Sequence, residues 1–233
     1  MIRVASYNIQ KAIGLDARRR PRRILEVIAE VNPDILALQE ADRRFGRRES
    51  ALPRDMIDRL TDYAVVPLST RDRSIGWHGN AILVRRSIQI CGQQRIELPS
   101  FDPRGAVMAE LEVQGRRMRV IATHLSLFKS IRGRQLEMLF SMLDRDEEGP
   151  PSVILGDLNE WRRTTLGQRV HESQYRVATT GPSFPAIMPL GNLDRIIVNS
   201  GLSVREFGVH RSAKARIASD HLPVWAALSF TRH

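Results

Sequence analysis

The chain has 233 residues, 42% of them hydrophobic, which is enough for one substantial core and too apolar for intrinsic disorder. A single cysteine, Cys91, excludes an internal disulfide and a thiolate metal cluster. The formal net charge of +10 is almost all arginine, with lysine only at Lys11, Lys129 and Lys214, and no apolar run reaches the length of a membrane span.

Ile2 to Ile9 reads as a strand ending at Asn8. Pro21 is suited to open a helix, and Ile24, Ile28 and Val31 follow at helical spacing. Asn32-Pro33-Asp34 breaks that helix, and the apolar run from Ile35 to Leu38 is a buried strand that delivers Glu40. A second, short helix is expected from Arg54 to Leu60. The middle of the chain is strand-like over Asn80 to Val84, Ile88 to Ile96 and Ala106 to Leu125. Gln114-Gly115 turns the last of these into a hairpin that exits at His124. Ile131 to Leu143 has helical spacing, and Val153-Ile154-Leu155 is a buried strand that delivers Asp157. Ile196-Ile197-Val198 follows Asp194 directly, and the last strand is expected to begin at His221 and run to Phe230. βα units and hairpins together predict an α/β sandwich of two sheets with helices outside. No repeat or linker divides the chain, so residues 1–233 are expected to form a single domain.

Each apolar run ends in a short polar motif: Ser6-Tyr7-Asn8, Leu38-Gln39-Glu40, Thr123-His124-Leu125, Gly156-Asp157-Leu158-Asn159, Leu193-Asp194-Arg195 and Ser219-Asp220-His221. A polar side chain at a strand exit lies on the sheet rim, where a rigid element can hold it against a substrate. Carboxylates, amides and two imidazoles are hard ligands and proton carriers, the parts of metal-assisted phosphate ester hydrolysis. Glu40 is the foremost candidate metal ligand. Asp157 is placed to orient or deprotonate water, and Asn159 to donate to a phosphate oxygen. A histidine paired with a carboxylate, as at His221, suits the charge that develops on phosphorus. His78, His171, His210 and His233 lack a strand-exit context. No His-Glu-x-x-His, Gly-x-x-x-x-Gly-Lys or Gly-x-Ser-x-Gly motif occurs, which leaves zinc protease, phosphate-loop and serine-hydrolase chemistry without support.

With Gly79-Asn80-Ala81-Ile82-Leu83 added, the ordered motifs resemble those of the endonuclease/exonuclease/phosphatase superfamily from about Val4 to Leu228. The resemblance implies a four-layer α/β sandwich, two mixed sheets face to face with helices outside, and a Mg²⁺- or Mn²⁺-dependent phosphohydrolase. It implies Glu40 as principal metal ligand, with Asn8 and Asp220 near the metal, and Asp157 activating water with Asn159 assisting. His221 then binds phosphate with Asp194 as its partner, and His124 matches the second histidine of the phosphatase, sphingomyelinase and DNase-I-like branches. Arg104, Asn80 and Trp161 are candidate substrate contacts. Tyr7-Asn8 and Leu193-Asp194-Arg195 depart from the apurinic endonuclease pattern. Ser183-Phe184-Pro185-Ala186 resembles a group of small bacterial members.

A phosphodiesterase is the first expectation, with a nuclease, a phosphomonoesterase on a small compound and a non-catalytic polyanion-binding module as alternatives. Two arginine clusters, Arg18 to Arg23 and Arg43 to Arg48, are placed to steer an anionic substrate. The expected partner is a phosphate ester, with nucleic acid or an anionic membrane surface open. A cytoplasmic monomer is the expected state.

Overall fold

The computed structural model describes residues 1–43, 49–100, 104–146, 148–161, 175–178 and 180–231. Two six-stranded mixed sheets lie face to face. The first contains β1 (Ile2–Asn8), β2 (Ile35–Gln39), β3 (Tyr63–Val65), β4 (Ala81–Arg85), β11 (Leu202–Val209) and β12 (Val224–Phe230), in the order β11-β12-β1-β2-β4-β3. The second contains β5 (Gln89–Glu97), β6 (Gly105–Val113), β7 (Arg116–His124), β8 (Ser152–Asp157), β9 (Arg176–Ala178) and β10 (Asp194–Val198), in the order β5-β6-β7-β8-β10-β9. Outside the first sheet lie α1 (Pro21–Val31) and α2 (Arg54–Leu60). Outside the second lies α3 (Lys129–Asp144), and a single turn, α4 (Ala215–Ala218), packs near α1.

The continuous apolar runs follow from this layering, because both faces of each sheet are covered. Alternate residues point opposite ways. Val4, Ile35, Ala37 and Ile82 meet Val120, Ala122, Val153 and Leu155 between the sheets. Leu36 and Leu38 turn outward onto Ile24, Ile28 and Ile57. Ile121 and Ile154 turn outward onto Leu136, Leu139 and Phe140. The sequence expectations hold for the fold class and for the main strands and helices. Boundaries shift by a residue or two elsewhere, as where α3 begins at Lys129, and the last strand begins at Val224, so Asp220 and His221 sit in the loop that leads into it.

Each sheet has a parallel pair at its centre. β1 runs beside β2 with Asn8 opposite Gln39, and β7 runs beside β8 with His124 opposite Asp157. The carboxyl ends of parallel strands are where open α/β sheets gather functional side chains. Antiparallel β10 places Asp194 opposite Asp157. Gly156 lets β7 and β8 close at this point: a Cβ there would lie 1.9 Å from the Thr123 carbonyl oxygen.

Candidate active site

Asp157 is the meeting point of the two sheets. Its Oδ2 accepts from Asn8 Nδ2 at 3.0 Å, a bond that joins residues 149 apart in the chain. The same oxygen lies 3.3 Å from His124 Nε2 and 3.6 Å from His221 Nε2. Its other oxygen accepts from the backbone N–H of Asn159 at 3.0 Å. Burial works against a charge here, but His124, His221 and Asn8 together hold the carboxyl well below the usual carboxylate range.

His221 donates from Nδ1–H to Asp194 Oδ2 at 2.8 Å, and Ser183 Oγ donates to that same oxygen. Burial opposes the imidazolium, but Asp194, then Asp157 and Asp220, raise the His221 pKa to about 10. At neutral pH the ring is therefore charged, with Nδ1–H directed at Asp194 and Nε2–H turned toward Asp157. Phe184 packs on this imidazole at 4.8 Å between centroids, and Trp161 meets Phe184 edge-on at 6.0 Å.

The carboxylates of the other wall come from β2 and the loop before β12. Glu40 adopts φ 53°, a left-handed conformation unusual for glutamate, and Lys11 N–H donates to its carbonyl at 3.2 Å. The Lys11 ammonium pairs with its carboxylate. Burial works against ionisation of Glu40, but Lys11, assisted by His124 and Arg104, keeps its pKa below the ordinary value. Asp220 behaves in the opposite way: burial, reinforced by the charge of Glu40, pushes its pKa up despite His221. Two carboxylates that repel each other in a half-buried setting fit a divalent cation, and all their donors are hard oxygens. A second group, Asp157, Asp194 and His221, has ligating atoms within 4.8 Å of one another and could hold a metal ion only where His221 gives up a proton to free a ring nitrogen.

The remaining predicted residues are placed as follows. Asn8 spends its amide nitrogen on Asp157 and accepts at Oδ1 from Gln10 N–H at 3.1 Å, so it orients Asp157. Asn159, at φ 52°, donates from Nδ2 to Leu125 O at 2.9 Å, which ties the Asp157 turn to the loop after His124. Asn80 is fully buried and donates to Gly105 O at 2.9 Å, bracing the sheets behind the site. Arg104 lines a cleft of about 200 Å³ that opens beside Glu40 and His124. Trp161 is 60% exposed and does not line that cleft. Of the two arginine clusters, Arg23 and Arg20 are paired with Asp16, and residues 44–48 lie outside the described residues, as does His171.

Sequence reasoning missed Lys11, Ser183, Trp77 and His78. Lys11 lies three residues past Asn8, so its proximity to a strand exit was a usable signal. Trp77 and His78 lie just before the Gly79-Asn80 motif and line the cleft. His210, by contrast, pairs with Glu30 at 2.8 Å on the surface.

A family model described as endonuclease/exonuclease/phosphatase matches residues 5–221. The chain belongs to that family. Its enzymes are metal-dependent phosphoesterases. The uncharacterized protein YbhP of Escherichia coli K12 is 27% identical over 164 residues, covering 66% of this chain and 63% of YbhP. This chain's match thus spans less than two thirds of that relative's length. Among solved structures, a mannosyl-6-phosphatase of Bacteroides thetaiotaomicron superposes with TM-score 0.78 at 19% identity, covering 99% of this chain and 100% of that one. The human Nocturnin catalytic domain superposes with TM-score 0.74 at 23% identity, covering 99% and 93%. A humanized zebrafish (D. rerio) TDP2 gives 0.78 at 16% identity, covering 98% of each chain. These likenesses agree with the two-sheet architecture of this family member.

Proposed function

We propose that the chain is a divalent-metal-dependent phosphodiesterase in which water attacks phosphorus in line. The observation that carries this reading is the ionised Asp157, held between His124, His221 and Asn8 and facing the Glu40–Asp220 wall. A Mg²⁺ or Mn²⁺ ion held by Glu40 and Asp220 would supply positive charge beside the phosphate.

Asp157 then orients the attacking water and receives its proton. Its depressed pKa makes it a weak base, so positioning is the larger part of its role. The His221 imidazolium donates from Nε2 to a phosphate oxygen, while Asp194 fixes its tautomer and supports its charge. Asn159 keeps one N–H for the phosphate after bonding Leu125, since its amide has two. His124 adds a second donor on the same side. The donors are fixed by buried hydrogen bonds, so little reorganisation is needed as charge develops.

The test is hydrolysis of bis(4-nitrophenyl) phosphate with added Mn²⁺. Activity is expected to vanish with EDTA and in Glu40→Ala, Asp157→Ala and His221→Ala. Metal-replete protein that cleaves no phosphate diester or monoester would sink the reading. A nuclease is the second reading, favoured by the net charge of +10. On that reading, duplex DNA binding falls steeply with salt as phosphate contacts are screened. Release of a lipid headgroup with salt-insensitive DNA binding would point to a membrane substrate instead.

A further inference from the structure

The cleft that opens beside Glu40 is lined by more positive charge than the reacting phosphate requires. Lys11, Arg43, Arg71 and Arg104 face it against two carboxylates, Glu40 and Asp42. Glu40 is already neutralised by Lys11, and Asp42 accepts a hydrogen bond from Ser74 Oγ at 2.6 Å. Arg43 bonds Glu49 at 3.1 Å, but Glu49 also serves Arg73 at 2.7 Å, so one carboxylate answers two guanidinium groups. Arg71 has no acidic partner among the described residues, and its side chain is at the exposed mouth.

The position of Arg71 is nevertheless set. Its N–H donates to Ser69 Oγ at 3.0 Å, and its carbonyl accepts from Ser69 Oγ at 2.6 Å and from Ser74 N–H at 3.2 Å. Another part of the lining is equally fixed. The Trp77 ring packs so closely on Gly105 that a Cβ there would lie 2.4 Å from it. About 200 Å³ accommodates a phosphate and a small ring, since a water's share of liquid volume is roughly 30 Å³. Two guanidinium groups at the mouth of a cleft are forks for an oxyanion, and the walls focus their field.

We propose that this cleft holds a second phosphate of the substrate, carried by the part of the molecule that does not react, with Arg71 and Arg43 as its recognition pair. The inference rests on the phosphoesterase reading of the centre at Asp157. It narrows the substrate class to small phosphate esters that carry a further phosphate.

Product-like ligands test it directly. Calorimetry with Mn²⁺ compares thymidine 5′-phosphate with thymidine 3′,5′-bisphosphate. The bisphosphate is expected to bind about tenfold tighter, the value of one charge-assisted contact. The double variant R43A/R71A is expected to erase that preference, and Arg205→Ala, an exposed arginine on β11, to leave it intact. Equal affinities in the native protein, or a preference that survives in R43A/R71A, would overturn the proposal. The 4-nitrophenyl esters of the two nucleotides separate the two readings. If neither these esters nor bis(4-nitrophenyl) phosphate is hydrolysed while the binding preference holds, the phosphoesterase reading falls and the second-anion site stands. If both are hydrolysed at equal kcat/KM and their products bind equally, the site falls and the phosphoesterase stands.

Discussion

Arg132 is the most informative residue to replace, because it joins two loops of the site from beneath. It is 5% exposed on α3. Its NH1 donates to Ser126 O at 3.1 Å and Leu127 O at 3.0 Å, just past His124. Its Nε and NH2 both reach Glu160 Oε2 at 3.3 Å, just past Asn159. Arg132→Met keeps the aliphatic bulk and removes all four bonds. Breaking a buried ion pair by removing one partner costs roughly 3–5 kcal/mol, because the other charge stays desolvated. At roughly 2–4 °C per kcal/mol for a chain of this size, the melting temperature is expected to fall by about 12 °C. The double variant R132M/E160Q removes the stranded carboxylate and recovers part of that loss, so a double-mutant cycle by scanning calorimetry isolates the pair. Activity toward bis(4-nitrophenyl) phosphate is expected to stay at least about tenfold low even in the double variant, since loops displaced by a fraction of an ångström no longer align His124 with Asn159. A single variant that melts within about 2 °C of the native protein, or a coupling under about 0.5 kcal/mol, would refute the clamp.

Three further outcomes follow from the same geometry. Asp194→Asn removes the main support of the His221 charge, so kcat is expected to drop about 100-fold, or about 3 kcal/mol for a charged hydrogen bond. The alkaline fall in rate, set near pH 10 by His221 in the native protein, is expected to move to lower pH; an unchanged pH–rate profile would show that the pair is idle. Gly156→Ala drives a methyl group into the Thr123 carbonyl and forces β7 from β8 between His124 and Asp157, with an expected cost of about 3 kcal/mol in urea unfolding. Wild-type stability in that variant would mean the strands have slack. Burial raises the Tyr63 phenol to about 12 from 10.0, and its hydroxyl donates to Pro33 O at 2.6 Å. The stability this raised pKa contributes is complete below pH 10 and is lost as pH climbs through 12. Tyr63→Phe is therefore expected to be less stable by about 1 kcal/mol at pH 8, with the gap closing above pH 10; a gap constant to pH 11.5 would contradict this.

The strands that sequence missed share a cause. β3 and β9 have three residues each at sheet edges, and β11 is an edge strand with Arg205 and Glu206 at its bulge. Edge strands pair on one side and meet solvent, so they carry no long apolar run to read. The first residue of the last strand was misplaced because Leu222 and Pro223 extend the apolar pattern before the first pairing at Val224. Lys11 and the cleft went unread because their meaning depends on Glu40 being folded against them.

Periodicity and strand-exit polarity alone pointed to the two-sheet class and the central strands and singled out Glu40, Asp157, Asn159 and His221 as candidates, whose roles came from the family resemblance. Such features are local: a buried strand must be apolar, and the residue that ends it must change character. Tertiary structure decided the rest. Only folding brings Asn8 to Asp157 across 149 residues, sets Glu40 against Asp220, and turns Arg43, Arg71 and Trp77 into walls of one cleft. Distances between sheets are fixed by packing between them, and no spacing along the chain encodes that.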